Sequence, residues 1–287
     1  MNDPLGDLAA APPCRATEVI APDGVRLAVR EWGAPHGRPV LFIHGYSQSG
    51  LCWQRQVESA ALAHLRLVTF DLRGHGASDK PLDPAHYKAD TRWSGDIAAL
   101  IAQLGLERPV LVGWSYGGRV IGDYLRHHGE DALAALVFVD GVVATERQLF
   151  GTCNNLMRLM GSDDPATQIA ATRAFLRKCF EVQPDPDSFE IALASNMMTP
   201  PQVRAAMSGR PADYGPELAA ITRPVLVVHG LKDQVIHPDM SQRILQHVPH
   251  AQFAPFPQCG HAPFLEAPEA FNAELGRFIA DLSTSVR

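Results

Sequence analysis

Short runs rich in β-branched and aromatic residues recur along this 287-residue chain: 26-RLAVREW, 39-PVLFIHG, 66-RLVTFD, 109-PVLVGWS, 134-AALVFVDG, 224-PVLVVHG and 251-AQFAPFP. Several are continuous stretches of Val, Leu, Ile and Phe. A strand can be apolar on both faces only where both faces of its sheet are covered, so these runs predict a parallel sheet between layers of helices. Arg26 to Trp32 alternates polar and apolar residues instead and reads as an edge strand in a leading antiparallel pair.

Helical periodicity fills the intervals. In 94-SGDIAALIAQL the apolar positions Ile97, Leu100, Ile101 and Leu104 recur at spacings of three and four, with Ser94 as the N-cap. Residues 116–128, 239–248 and 268–282 also read as helices, the last opening on Pro268. The alternation gives an α/β fold class. From 142 to 216 the rhythm breaks: no strand run appears, and 165–182, 188–198 and 201–208 carry helical patterns before Gly209, Pro211, Gly215 and Pro216 end the stretch. An insertion between two sheet strands would lie over the strands' carboxyl ends, where open α/β sheets bind ligands. The predicted organisation is a loose tail over 1–15, a core over 16–141 and 217–287, and a helical cap over 142–216.

Bulk properties remove several classes of function. A net charge of −6 and a pI near 6.0, with no Lys/Arg-rich stretch, argue against nucleic-acid binding. Asp3 and Asp7 precede the first basic residue, Arg15, and the early apolar run is only Leu8 to Ala11. That is too short and too acidic for a secretory signal. No segment approaches the ~18 apolar residues of a membrane span. The expected location is cytoplasmic. Five scattered cysteines without a CxxC pair read as free thiols.

The chemistry is concentrated in 111-LVGWSYGGRV, where Gly113, Gly117 and Gly118 crowd around Ser115 just after an apolar run. If a strand meets a helix at Ser115 in a very tight turn, neighbouring elements press on the flanking positions and only small residues fit. The result is an exposed Oγ at a helix N-terminus, suited to a nucleophile. A serine needs a base, and the base needs an orienting carboxylate. For this turn type the chain order is Ser, acid, His. Asp233 follows the 224 run and His261 follows the 251 run, each past a predicted strand end. Asp140, after the 134 run, is the rival acid; its other reading is an anchor at the entry to the insertion. Oxyanion donors are expected from the backbone N–H groups of Tyr116, next to the nucleophile, and Tyr46, in the loop 44-HGYSQSG. His44 reads as a buried brace for that loop.

These residues resemble the α/β-hydrolase superfamily, in its serine carboxylesterase-like branch with a helical cap. The matching segments are His44-Gly45, Asp71 to Ser78 (DLRGHGAS), Gly113 to Gly118, His229-Gly230 with Asp233, and Gly260-His261. The resemblance implies an eight-stranded, mostly parallel sheet with a cap inserted after the sixth strand, and a structural role for DLRGHGAS. Haloalkane dehalogenases and epoxide hydrolases carry an aspartate nucleophile where this chain has Ser115. Cofactor-free haloperoxidases typically carry a proline in the oxyanion loop, where Tyr46-Ser47 stands. Carbon–carbon bond hydrolases often have Asn in place of Trp114. The Gly-Trp-Ser-x-Gly-Gly elbow is similar to that of biotin-pathway methyl esterases and small-ester carboxylesterases.

The implied function is hydrolysis of a small-molecule carboxylic ester by a Ser115–His261–Asp233 triad. The implied mechanism needs no metal or organic cofactor; neither HExxH nor a dinucleotide fingerprint occurs. Five of the seven methionines fall in the insertion. With the aromatics they suggest a deformable pocket lined by Trp114, Phe150, Met157, Met160, Met197 and Met198. Lactone, carbon–carbon, amide, thioester and perhydrolase chemistry on the same triad stay open, as does a ligand receptor on a retained fold. The oligomeric expectation is a monomer or a homodimer.

Overall fold

The computed structural model describes residues 14–284; of the tail read at 1–15, residues 1–13 lie outside the described residues. Eight strands form one sheet: β1 (Arg15–Ile20), β2 (Arg26–Gly33), β3 (Pro39–Ile43), β4 (Arg66–Phe70), β5 (Val110–Trp114), β6 (Ala135–Val139), β7 (Val225–Gly230) and β8 (Gln252–Phe256). Their spatial order is β1-β2-β4-β3-β5-β6-β7-β8. β2 pairs antiparallel with β1 and with β4, and every other pairing is parallel.

The continuous apolar runs mark the middle of the sheet. Every residue of β3, β5, β6 and β7 is buried, because helices cover both faces there. The alternating run, β2, is not the edge: it lies between β1 and β4, and the edge is β1. β1 escapes sequence reading because RATEVI is mostly exposed, with only Val19 buried. The register sets Ile43 beside Gly113, Gly113 beside Phe138 and Val139 beside Val228. The loops leaving β3, β5, β6 and β7 therefore emerge side by side at one end of the sheet.

The helix preceding β5 runs over Asp90–Gln103, so it starts a full turn before Ser94. Trp93 extends the apolar stripe of Ile97 and Leu100 and is buried with them, which draws the first turn into the core. Ser94 is an interior residue whose Oγ donates to the Thr91 carbonyl at 3.2 Å.

Between β6 and β7 the described chain is helical: Asn154–Leu159, Pro165–Cys179, Pro186–Met197, Pro201–Met207 and Gly215–Ala219. Asp164 and Asp185 cap two of these helices, accepting from the Thr167 and Ser188 N–H groups at 2.9 Å each. Each is followed by proline at the first helical position. An isolated bridge joins Ala144 to Asp213, so this segment leaves and re-enters the sheet region at neighbouring points. Among the described residues no helix is long and apolar enough to cross a membrane.

Candidate active site

Ser115 sits between β5 and the helix Tyr116–His128 with φ 53° and ψ −111°, a backbone conformation that costs a non-glycine residue about 1–3 kcal/mol. Tight packing holds it there. A Cβ at Gly113 would fall 2.7 Å from the Gly117 carbonyl, and one at Gly117 would fall 2.6 Å from the Ile43 carbonyl. The Ser115 carbonyl accepts from Gly118 and Val142 N–H groups at 2.9 Å, and its own N–H donates to Val139 at 3.0 Å. The glycine cluster thus lets the turn lie against β3 and the exit of β6. Tyr116 opens the helix, so its N–H has no intrahelical acceptor.

Asp233 and His261 meet in space. His261 Nδ1 lies 2.6 Å from Asp233 Oδ2, and both side chains are buried. Asp233 Oδ1 accepts from the Val235 and Ile236 N–H groups at 2.7 and 3.0 Å. With Nδ1–H donating to the carboxylate, Nε2 keeps its lone pair. The His261 backbone is pinned from two sides: its carbonyl accepts from Trp114 Nε1 at 2.7 Å, and its N–H donates to the Cys179 carbonyl at 2.7 Å. Glu266 also holds this loop, accepting from Gly260 and Ala262 with one oxygen and from Glu181 and Val182 with the other. Sequence reasoning passed over Glu266, since a carboxylate that binds only backbone leaves no motif.

Asp140 occupies the anchoring position. Its φ is 44°, and Oδ1 accepts from the Gly230 N–H at 2.9 Å, tying the exit of β6 to the end of β7. Burial, with the nearby Asp233 charge adding to it, pushes its carboxyl well above the usual carboxylate range. His229 Nε2 lies 3.6 Å from both Asp140 and Asp233 but donates to the Ile236 carbonyl at 3.1 Å, while Nδ1 meets Ser241 Oγ at 2.6 Å. Asp140, His229 and Asp233 bring ligand-type atoms within 4.8 Å of one another. However, the His229 Nε2 lone pair is replaced by a proton, and both Asp233 oxygens are engaged. This donor set is that of a hydrogen-bond network, not of a metal centre.

His44 and the DLRGHGAS segment shape the loop carrying Tyr46. His44 Nε2 accepts from the Leu72 N–H at 2.9 Å, and Nδ1 lies 2.8 Å from the Gly45 carbonyl. Asp71 accepts from Gly50 and Ala77 at 2.7 and 2.8 Å, and His75 Nε2 accepts from the Ser47 N–H at 3.2 Å. Burial lowers the pKa of both His44 and His75, keeping the imidazoles neutral in these roles. Arg73 is fully buried between Asp96 and Asp23.

Ser115 and His261 open onto one cavity of about 450 Å³. Trp114, Tyr46, Tyr116, Phe150 and Met157 line it. Met160, Met197 and Met198 do not, which corrects the sequence expectation for these three. Met160 is wholly enclosed among the helices between β6 and β7. The helix Pro186–Met197 turns Ser188, Ile191, Ala192 and Ser195 toward the cavity. At 100° per residue Met197 then falls on the opposite face, and Met198 caps the end of the helix, where it is 51% exposed. Phe175, Leu176 and Phe180 contribute the apolar wall instead. Arg119 also reaches the cavity and was not foreseen, because its side chain follows the elbow glycines without any motif of its own.

A family model described as "Alpha/beta hydrolase family" matches residues 40–274. A crystal structure of an aryl-esterase candidate from Burkholderia cenocepacia is 38% identical, covers 94% of this chain and 100% of that one, and superposes with a TM-score of 0.91. The esterase RhEst1 from Rhodococcus sp. ECU1013 is 33% identical over 93% of this chain and 99% of its own, with a TM-score of 0.86. The bifunctional esterase/perhydrolase DCH of Acinetobacter calcoaceticus is 28% identical, with 91% of this chain and 98% of that protein covered. With most of its length matched by the family model, and with the strand order described above, this chain belongs to the alpha/beta hydrolase family.

Proposed function

We propose that this protein hydrolyses small to medium carboxylic esters through an acyl-enzyme on Ser115, with residues 142–216 acting as a cap over the site. The observation that carries the reading is the 2.6 Å contact from His261 Nδ1 to an Asp233 carboxylate held by two backbone N–H groups, beside a cavity shared with Ser115. His261 Nε2 removes the Ser115 proton as Oγ attacks the ester carbonyl. The N–H groups of Tyr116 and Tyr46 receive the oxyanion. Asp233 fixes the tautomer and stabilises the imidazolium. The alcohol departs with the proton, and a water deprotonated by His261 releases the acid. Relatives named as esterases support ester chemistry.

Turnover of a chain-length series of p-nitrophenyl esters tests the reading, with Ser115→Ala as the control. Wild type is expected to favour short or medium acyl chains, and Ser115→Ala to lose at least about a thousandfold. A folded wild type inert toward every ester would refute it. Perhydrolysis is the second reading, favoured by the resemblance to an esterase/perhydrolase. Peracid formation from a carboxylic acid and hydrogen peroxide at a rate comparable to ester cleavage would support it. Tyr46-Ser47 in the oxyanion loop leads us to expect ester hydrolysis to dominate.

A further inference from the structure

The cavity has one charged group on its inner wall, Arg119, whose charge no carboxylate among the described residues answers. Arg119 is 7% exposed and lines the same cavity as Ser115. Its Nη2 donates to the Arg210 carbonyl, its Nε is enclosed without any partner, and its Nη1 makes no hydrogen bond to the described residues. Among those residues no carboxylate lies within 4 Å of this guanidinium, which sits over the Tyr116 ring, 5.2 Å from its centre. The neighbouring cation is answered. Arg210 pairs with Asp123 at 2.7 Å and donates to the Tyr116 hydroxyl at 2.9 Å, and Asp123 also accepts from the Tyr214 hydroxyl at 2.6 Å. Asp123 therefore answers Arg210 alone, and among the described residues the Arg119 charge beside the site has no carboxylate of its own.

The acids that line the cavity lie elsewhere and are engaged. Glu58 and Asp185 are exposed. Asp185 caps its helix and lies 3.9 Å from Arg55, Glu58 accepts from Gln54, and Glu266 holds four backbone N–H groups. A buried cation without a counter-ion costs free energy that a bound anion would recover. Hydrolysis of a neutral ester uses no such group.

Resting on the esterase reading, we infer that Arg119 is the recognition point for a carboxylate carried by the substrate, so that the preferred substrates are half-esters of dicarboxylic acids. The ester carbonyl sits at Ser115, the free carboxylate pairs with Arg119, and the apolar wall of Phe175, Leu176 and Phe180 covers the methylenes between. The carboxylate takes no part in the bond changes; it fixes which end of the molecule is cleaved and how long the chain can be.

The test is kcat/KM for monomethyl succinate, glutarate, adipate and suberate against methyl esters of the matching monocarboxylic acids, followed by pH-stat. Wild type should prefer the anionic partner of at least one pair by about ten- to a hundredfold, the effect of one charge-assisted hydrogen-bonded pair. The ratio should collapse in Arg119→Gln and return in part in Arg119→Lys, with the loss appearing mainly in KM. A wild type that handles both members of every pair equally, or prefers the neutral one, overturns the inference and leaves the esterase reading standing, whether or not the variants fold. If p-nitrophenyl butyrate is also inert, the esterase reading itself falls. Calorimetry of adipate binding to Ser115→Ala then decides the carboxylate site alone: saturable binding that Arg119→Gln abolishes supports it, and no binding overturns it.

Discussion

Glu266 offers the sharpest perturbation outside the proposed triad. One carboxylate oxygen accepts from Gly260 and Ala262, which flank His261, at 2.9 and 3.3 Å; the other accepts from Glu181 and Val182 at 2.9 Å each. All four donors are backbone N–H groups, so both oxygens must be acceptors. Glu266→Gln should therefore fail as a conservative replacement, because its amide nitrogen would turn a donor toward two donors. The site is half-buried, so water can re-solvate part of what is lost. Taking about 0.5–1 kcal/mol for each of four charge-assisted bonds gives ~2–4 kcal/mol of destabilisation for Glu266→Ala. Glu266→Gln should fall within about 1 kcal/mol of it, by the same principle that an unmatched donor costs as much as a missing acceptor. Urea unfolding followed by tryptophan fluorescence measures the stability change. Ester turnover in native buffer measures the second effect: a displaced His261 loop should lower kcat about tenfold or more. If Glu266→Gln behaves like wild type in both assays, the carboxylate does not organise this loop and the geometry has been misread.

Two further outcomes follow from the same packing. A Cβ on residue 230 would lie 1.8 Å from the Gly260 carbonyl and 2.6 Å from that of Cys259, so Gly230→Ala should cost about 3 kcal/mol or more and abolish turnover; a thermal melt near wild type would contradict the close approach of β7 to the histidine loop. The buried imidazoles of His44, His75 and His229 have lowered pKa values, so the unfolded chain takes up protons below about pH 6.5 that the folded chain refuses, and stability falls as pH falls through that range. The buried carboxyls of Asp140, Asp96 and Asp123, with pKa values raised, act in the opposite sense and make the fall shallower than the imidazoles alone would give; an unfolding free energy that rises as the pH is lowered from about 6.5 to 5 would refute the dominance of the imidazoles.

What could be read from the sequence was whatever is local. The central strands are legible because each is a short apolar run, and the elbow because its glycines answer contacts within a few residues or with the adjoining strand. Asp233 and His261 are legible through their places after successive strands, although the 2.6 Å contact between them spans 28 positions. The misreadings have physical causes. β1 is an exposed edge whose composition carries no signal. Trp93 draws the helix start a turn earlier than Ser94 suggests. Met160, Met197 and Met198 were placed in the pocket by residue type alone, whereas helical phase and interior packing decide which side chains face a cavity. Arg119 and Glu266 were missed because what distinguishes them is an unanswered charge in one case and a set of distant backbone partners in the other.

The central claim is that Ser115 carries the acyl group. Wild type mixed rapidly with p-nitrophenyl butyrate and quenched in acid should show, by intact mass and peptide mapping, one butyryl group on the peptide containing Ser115. The adduct should be absent in Ser115→Ala and should disappear as turnover ends. Ester cleavage undiminished in Ser115→Ala, or an acyl group on a different residue, would contradict the account.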